Sequence, residues 1–331
     1  MKILIVGGGG YVGSVVSKYL SEFDQLSITV IDNFIYHNQN TNVFLNHNKI
    51  NLLKCRFEDF NFEKNFKYDV VIFFAGLVGD PITKNYPILS LKINENSIIN
   101  FISKLYTYNF DKFIFISTCS NYGLMPENTL ATEESPLNPL SLYAKSKVKI
   151  EEFLLDNKSN NFSKTILRFS TAFGLSDRMR LDLTVNQFIY EAKIKKELLV
   201  YDADTWRPYC HLNDFADAIF HVISLDNSLV KNQVFNVGLD ENNFTKRMLV
   251  DKIKNLNIDF KCIYNEKGND PRNYRVSFEK INEVLGFKPK YNLDYGFEEI
   301  NNWLNLVKLQ TINYDDLGNY LITQDFINQY F

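Results

Sequence analysis

Cysteine and histidine are scarce in this 331-residue sequence, with four of each. The cysteines show no Cys-x-x-Cys spacing, which disfavours both a zinc site and a disulfide framework. The histidines are equally scattered and also lack the spacing of metal ligands. We therefore expect a protein without a metal centre.

Long apolar runs and an excess of positive charge are also absent. No stretch of about 18 apolar residues exists, so we expect no transmembrane helix. The net charge of −3 argues against a protein that binds nucleic acid through its phosphates. The chain passes from Lys2 directly into ILIV, without the pattern of a signal peptide. These features predict a cytoplasmic protein with neither nucleic acid nor a membrane as its partner.

The first half of the chain alternates apolar runs with amphipathic segments. Helical periodicity marks 11–23, 88–109 and 140–157. Continuous apolar runs, typical of parallel strands covered on both faces, occur at 2–6, 27–32, 69–76, 112–118 and 164–170. This alternation predicts the α/β class, with a doubly wound parallel sheet of the Rossmann type.

The pattern loosens after about residue 175 and predicts a smaller mixed C-terminal lobe. Helices are expected at about 183–195 and 246–256, with a short strand in ELLVYD between them. The expected division assigns 1–175 to the Rossmann domain, with 207–240 returning to it, 176–206 and 241–310 to the lobe, and 311–331 to a C-terminal extension.

The stretch VGGGGYVG follows the first predicted strand and opens the first helix. Glycines at 7, 10 and 13 allow a tight turn and a close approach of the backbone to a pyrophosphate. Asp32 follows nineteen residues after Gly13, at the end of the second strand. Its carboxylate suits a ribose diol and would repel a 2′-phosphate, and no Lys or Arg follows it closely. The stretch therefore predicts binding of NAD rather than NADP.

Tyr143 and Lys147 lie four residues apart in SLYAKSK and share one face of a predicted helix. A nearby ammonium, together with a positive nicotinamide ring, favours a phenolate and lowers the pKa of the tyrosine. Such a pair on its own is often a coincidence. After a dinucleotide-binding half and the strand end FISTCSNYG, it predicts a catalytic acid/base pair.

Taken together, these motifs resemble those of the extended short-chain dehydrogenase/reductase superfamily. Within it they are most similar to NAD-dependent nucleotide-sugar epimerases, dehydratases and dehydrogenases. The resemblance extends from Lys2 to about Trp303. It implies a Rossmann domain followed by a lobe that binds a nucleotide-diphosphate sugar, in a homodimer or a higher oligomer.

The resemblance also implies roles for individual residues. Catalysis is assigned to Tyr143, Lys147 and Thr118. The cofactor-binding positions are Gly7, Gly10, Tyr11, Val12, Gly13, Asp32, Asn33, Phe57, Phe74, Ala75, Gly76, Ser117, Tyr143, Lys147 and Ala172. The substrate-binding positions are Thr118, Asn186, Arg207, Arg272 and Arg275. Basic and amide groups suit a diphosphate because they form charge-assisted hydrogen bonds with it.

Two departures from the family pattern narrow the expected reaction. Cys119 and Ser120 follow Thr118 where sugar 4,6-dehydratases carry an Asp-Glu pair, so water elimination is not expected. Arg56 occupies a position that is usually Asp beside the adenine. GLVGDP and RMRLDLTVN resemble enzymes that oxidise C4 of a GDP-linked sugar for capsule polysaccharide. Dehydrogenation of such a sugar is therefore the main expectation and 4-epimerisation the alternative, with a non-catalytic NAD-binding regulator less favoured.

Overall fold

Seven parallel strands form the central sheet of the computed structural model, in the order β11-β7-β5-β4-β1-β2-β3. The structure describes residues 1–36, 44, 47, 49–159, 161–266, 268, 270–307, 314–322 and 324–330. The strands are β1 (Lys2–Val6), β2 (Ser27–Asp32), β3 (Ile50–Lys54), β4 (Val70–Phe73), β5 (Lys112–Thr118), β6 (Leu130–Ala131), β7 (Ser163–Phe169), β8 (Thr171–Phe173), β9 (Glu197–Tyr201), β10 (Trp206–His211), β11 (Gln233–Val237), β12 (Asn243–Thr245), β13 (Lys261–Asn265) and β14 (Arg275–Val276). The predicted doubly wound Rossmann-type sheet is confirmed.

Helices cover both faces of this sheet and build the second lobe. They are α1 (Tyr11–Ser21), α2 (Phe62–Asn65), α3 (Asp80–Asn85), α4 (Pro87–Leu91), α5 (Ile98–Leu105), α6 (Leu142–Asp156), α7 (Thr184–Tyr190), α8 (Leu212–Ser224), α9 (Asn227–Val230), α10 (Lys246–Lys254), α11 (Glu279–Leu285), α12 (Leu293–Leu306) and α13 (Gln324–Asn328). No helix in this described part of the chain is long and apolar enough to cross a membrane.

The alternation of side chains along each strand divides the core into two apolar clusters. Ile3 and Ile5 of β1 join the cluster that contains Val16 of α1. Leu4 and Val6 point to the other face and join the cluster that contains Ile102 of α5. Both faces are buried, which explains why the strands are continuously apolar in sequence.

The strand order reverses at β1, which has β2 on one side and β4 on the other. In open α/β sheets, ligands bind beyond the carboxyl ends of the strands at such a switch point. Segments following β1, β2, β4, β5 and β7 therefore converge on one region. This is where the glycine stretch, Asp32 and Thr118 emerge.

Segment 207–240, predicted to return to the first domain, is shared between two sheets. β11 pairs with β7 at the edge of the central sheet. β10 instead lies between β8 and β12 in a separate three-stranded sheet. Two further parallel pairs, β9 with β13 and β6 with β14, lie outside the central sheet.

The helix predicted over 88–109 is interrupted in the structure. α4 begins at Pro87, and a π-helical turn at Lys92–Ser97 separates it from α5. Asn94 lies buried in this turn and bonds both backbone groups of Leu77, at 2.7 Å to its N–H and 2.9 Å to its carbonyl. Side-chain periodicity alone does not reveal such a turn, because the inserted residue shifts the helical face only locally.

Candidate active site

Three glycines of the β1–α1 turn differ in how closely other atoms surround them. Gly7 has φ +83°, and a Cβ there would approach the Ala75 nitrogen to 2.6 Å. A Cβ on Gly13 would lie 2.4 Å from the Gly7 carbonyl oxygen. At Gly10 the nearest atom to such a Cβ is the Gly7 oxygen at an ordinary 3.5 Å, and Gly10 lines a cavity. Protein packing thus requires the first and third glycines, while the second leaves room for a ligand.

Asp32 is fixed beside this turn at the end of β2. Its Oδ2 accepts a hydrogen bond from the Gly9 N–H at 2.8 Å, and its Oδ1 accepts one from the Phe34 N–H at 2.8 Å. The carboxylate borders the same cavity as Gly10. Turn and carboxylate therefore have the arrangement that a dinucleotide with a free ribose diol requires.

The cavity has a volume of about 360 Å³ and collects nearly all the residues that the sequence singled out. Its lining includes Gly7, Gly10, Tyr11, Val12, Gly13, Asp32, Asn33, Phe57, Phe74, Ala75, Gly76, Ser117, Thr118, Tyr143, Lys147, Ala172, Arg207 and Arg272. Two of the predicted substrate-binding residues, Asn186 and Arg275, are not part of it.

Asn186 and Arg275 are engaged elsewhere. The amide of Asn186 is fully buried and donates to Tyr11 Oη at 2.8 Å and to the Arg180 carbonyl at 2.8 Å. It therefore ties α7 to the first turn of α1 instead of facing the cavity. The guanidinium of Arg275 lies 5.1 Å from the centroid of the Trp206 ring. A short motif places a residue near a site but does not decide which way its side chain points.

Tyr143, Lys147 and Thr118 face the cavity from two neighbouring elements. α6 begins after Ser141, whose Oγ accepts a hydrogen bond from the Ala144 N–H at 3.2 Å. This cap sets Tyr143 and Lys147 on the inner face of the first two turns. The Lys147 ammonium nitrogen donates to the Ile116 carbonyl at 2.7 Å, which joins the helix to β5 just before Thr118.

Burial changes the acid–base properties of this pair. It raises the pKa of Tyr143 above the ordinary value, an effect that Arg180 opposes and Asp80 reinforces. Burial also lowers the pKa of Lys147 to about 7, against the influence of Glu151. Arg180 therefore favours the phenolate, and the Lys147 ammonium nitrogen lies 5.8 Å from the centroid of the Tyr143 ring.

Two arginines stand close together at another part of the cavity lining. Arg207 donates to Asp270 at 3.0 Å, and Arg272 binds the same carboxylate at 2.7 and 2.8 Å. Arg272 also pairs with Asp80 at 2.8 Å. Although burial opposes it, these two guanidinium groups hold the pKa of Asp270 well below its usual range. The result is a mostly buried pair of arginines whose charges are shared with two carboxylates, Asp270 and Asp80.

Several lining residues were not singled out from the sequence. They are Tyr36, Asp80, Ser120, Arg178, Arg180, Asp182, Lys246, Asp270, Tyr274 and Asn319. Charged residues alternate in RMRLD, and Arg180 binds Asp182 at 2.9 and 2.6 Å. That alternation was a usable signal for Arg178 and Arg180. No feature of the sequence indicated that Asn319 would line the cavity, because its position depends on how the distant C-terminal segment packs.

Cys119 and Asp214 have structural surroundings. The thiol of Cys119 is buried, donates to the Arg168 carbonyl at 3.1 Å, and has a pKa raised well above its ordinary value by burial. A buried, protonated thiol does not serve as a nucleophile. Asp214 accepts hydrogen bonds from the Lys290 and Tyr291 N–H groups at 2.8 and 3.1 Å and so fixes that loop.

The C-terminal segment (described residues 314–322 and 324–330) docks on the body of the same chain. Phe326 and Tyr330 are buried in the apolar cluster that contains Phe57. Asn319 donates to the Val78 carbonyl at 2.7 Å and lines the cavity. The aromatic side chains of the expected C-terminal extension thus pack on the body of the same chain.

Fold and site define a dinucleotide-binding α/β enzyme with a tyrosine–lysine pair. The chain belongs to the NAD-dependent epimerase/dehydratase family, whose model matches residues 3–238. The family assignment and the glycine turn with Asp32 agree that the cofactor is NAD. Gly10 and the Asp32 carboxylate fit that group, and Ser117, Tyr143 and Lys147 line the same cavity.

Known proteins similar to this chain carry related names. UDP-glucose 4-epimerase of Lactobacillus helveticus is 25% identical, over 89% of this chain and 94% of that protein. UDP-glucuronic acid 4-epimerase of Bacillus cereus, solved with UDP-glucuronic acid and NAD, superimposes with a TM-score of 0.82 at 20% identity. UDP-glucose 4-epimerase of Thermotoga maritima, solved with UDP-glucose, gives 0.81 at 23% identity. Both structures cover 92% of this chain and are themselves covered to 99%.

Proposed function

We propose that this protein is an NAD-dependent 4-epimerase of a nucleotide-activated sugar, with a UDP-sugar as the substrate. One observation carries the proposal: a single cavity is lined both by the NAD-binding turn with Tyr143, Lys147 and Thr118 and by the cationic pair of Arg207 and Arg272. The epimerase names of the similar proteins support the reaction and the UDP group.

Arg207 and Arg272 would receive the diphosphate of the substrate. Their guanidinium groups share Asp270, so a diphosphate that arrives there meets donors already oriented toward a bidentate anion. The Ser120 hydroxyl lies in the same region, 3.3 Å from Tyr274 Oη and 3.5 Å from Arg272 Nη1. The sugar would then extend toward Tyr143.

Tyr143 would take the proton from the C4 hydroxyl, and Thr118 would hydrogen-bond the same hydroxyl and orient it. NAD, when bound, accepts a hydride and adds a positive charge that favours the phenolate. Lys147, held by the Ile116 carbonyl, would bind the ribose next to the reacting end. For an epimerisation, the keto sugar would turn its other face, C4 would take the hydride back on that face, and Tyr143 would return the proton to the C4 oxygen.

Two related reactions are less well supported. A 4,6-dehydratase needs an acid/base pair after the threonine, and here Cys119 is buried and Ser120 carries no charge. The sequence-based expectation was a GDP-heptose 4-dehydrogenase of capsule biosynthesis, but the similar proteins are named for UDP-sugars. We keep the dehydrogenase as the second candidate, because GLVGDP and RMRLD contribute Gly79, Asp80 and Arg180 to the cavity.

The test is an assay of the purified protein with UDP-glucose, UDP-glucuronic acid and GDP-mannose. NADH is followed at 340 nm, and the sugar products are identified by chromatography and NMR. Conversion of a UDP-sugar to its C4 epimer without net NADH would support the proposal. NADH that accumulates in step with a keto sugar would establish a dehydrogenase instead. No turnover of any sugar, with NAD bound, would favour the regulator.

We also propose the homodimer that the family resemblance implies, formed through α4, α5 and α6. Ile88, Leu91 and Leu155 are exposed apolar side chains on this face. Light scattering coupled to gel filtration tests this, and Ile88→Asp should yield monomers if the face is the interface. A wild-type protein that elutes as a monomer would contradict it.

A further inference from the structure

Arg178 is a buried arginine of the cavity lining that forms no ion pair with any residue the structure describes. It is 2% exposed. Its neighbour Arg180 occupies both oxygens of Asp182. Within the described residues, the Arg178 guanidinium makes one long hydrogen bond, 3.4 Å to the Gly318 carbonyl, and its Nε has no partner. Burying an unpaired cation is costly, so a site of this kind indicates an anionic ligand.

Two contacts fix the guanidinium in place. On one side it lies 4.3 Å from the ring centroid of Tyr36, which follows soon after Asp32 in the chain. On the other side is Gly318 of the C-terminal segment. The side chain is thereby preorganised, and a ligand that binds it need not order a flexible arginine.

The backbone around Arg178 is anchored to the first turn of α1. The Arg178 N–H donates to Ser176 Oγ at 3.2 Å, and that hydroxyl donates to the Tyr11 carbonyl at 2.8 Å. Ser176 Oγ also lies 2.9 Å from Ser14 Oγ. Arg178 thus belongs to the part of the cavity where the glycine turn opens the helix, whose N-terminus itself favours an anion.

We propose that Arg178 binds the pyrophosphate of the dinucleotide from the side opposite the glycine turn. The pyrophosphate would lie between the α1 N-terminus and a guanidinium supplied by the loop after β8. Arg207 and Arg272 remain for the diphosphate of the sugar nucleotide, so the two diphosphates have separate arginines. The proposal relies on the NAD cofactor of the proposed function and is independent of which sugar reacts.

The test measures ligand affinity without turnover, by isothermal titration of nucleotide-free protein with NAD, ADP-ribose, NADP and UDP. Arg178→Gln should weaken NAD and ADP-ribose about ten- to a hundredfold, the range for a lost charge-assisted bond. Affinity for UDP should not change. Arg178→Lys, which keeps the charge but not the planar fork, should lose less. Arg247→Gln is the matched control, since Arg247 also lies over a tyrosine ring, at 4.6 Å, but outside the cavity lining.

Three outcomes would overturn the proposal. NAD affinity that is unchanged in Arg178→Gln would show that the arginine does not touch the cofactor. An equal loss for UDP and NAD would indicate a general collapse of the site. A wild-type preference for NADP that disappears in the variant would assign Arg178 to a 2′-phosphate. If Arg178→Gln does not fold, Arg178→Lys decides by the same comparison of NAD with UDP. If no sugar is converted in the assay of the proposed function, each of these affinities can still be measured.

Discussion

At the scale of single residues, the proposed chemistry depends on the hydroxyl of Tyr143. Tyr143→Phe keeps the ring and removes the proton acceptor. We expect turnover to fall about 10²- to 10⁴-fold, the usual contribution of a general acid/base, while NAD affinity stays the same. Steady-state kinetics with the active UDP-sugar and titration with NAD measure the two quantities. Tyr264→Phe, an exposed tyrosine, is the control. Full activity in Tyr143→Phe would exclude the mechanism.

Lys147 makes folding stability depend on pH. Folded Lys147 loses its proton near pH 7, whereas the unfolded chain holds it up to about pH 10.5. Between these values the unfolded state binds more protons, so stability rises with pH and the burial penalty is largest below pH 7. Relative to Lys147→Met, the wild type should gain roughly 2–3 kcal/mol between pH 7 and pH 9. Urea unfolding without nucleotide measures this, and parallel pH profiles would contradict it.

Much of the candidate site was predictable from sequence because its residues follow strands directly. A glycine turn, a carboxylate at a strand end and a Tyr-x-x-x-Lys helix have fixed spacing, and the parallel sheet brings their ends together. Arg178 and Asn186 show the limit. Both lie in the loop and helix after β8, and only packing decides that the arginine borders the cavity while the amide turns to Tyr11.

At the scale of elements, a buried polar network supports α6, the helix that carries Tyr143 and Lys147. Glu151 of α6 lies one turn beyond Lys147 and binds Arg168 of β7 at 2.7 Å. Its carboxylate also accepts a hydrogen bond from Asn121 Nδ2 at 2.8 Å and one from Ser117 Oγ. Arg168 donates onward to Tyr122 Oη at 3.0 Å. α6 is thereby tied to two strands and to the turn after Thr118.

The pair of Arg168 and Glu151 gives a test of this support. Arg168→Met leaves a buried carboxylate without its counter-charge, and we expect a loss of about 3–5 kcal/mol in unfolding free energy. Adding Glu151→Gln removes the charge but keeps an oxygen for Asn121 and Ser117. The double variant should therefore be more stable than the single one, by about 1–3 kcal/mol. Urea unfolding compares them, and a double variant no more stable than Arg168→Met would refute the argument.

Helices and strands were predictable where burial imposes one regular spacing of apolar residues. They were not predictable where a strand is very short or where a π-helical turn interrupts a helix. β1, β2 and β5 match their apolar runs because both faces of the strands are covered. Strands β6, β12 and β14, which lie outside the central sheet, have two or three residues each, too few to carry a pattern. The first expected helix of the lobe, 183–195, is likewise divided into α7 and a π-helical turn at Glu191–Lys195.

At the scale of the whole molecule, the C-terminal segment contacts the rest of the chain at two places. At the cavity lining, the Asn319 N–H donates to Asp182 at 3.3 Å. Beside the end of β3, Arg56 donates to the Gln329 carbonyl at 3.1 Å and lies 4.6 Å from the centroid of the Tyr330 ring. Arg56, which replaces the usual Asp, therefore has a defined role as a docking residue.

Tyr330 offers the sharpest test of whether this docking holds the cofactor site together. Its ring is buried, and its hydroxyl donates to Glu58 at 2.7 Å. Tyr330→Ala should lower unfolding free energy by about 1–3 kcal/mol, since most of a buried ring is lost near a chain end that can relax. The segment should then open more often and be cleaved faster by protease. NAD should dissociate faster as well, because Gly318, which holds Arg178, belongs to the same segment. Leu321→Ala, at an exposed position of the segment, is the control. Cleavage and NAD release at wild-type rates in Tyr330→Ala would show that the segment covers the domain without securing its cofactor.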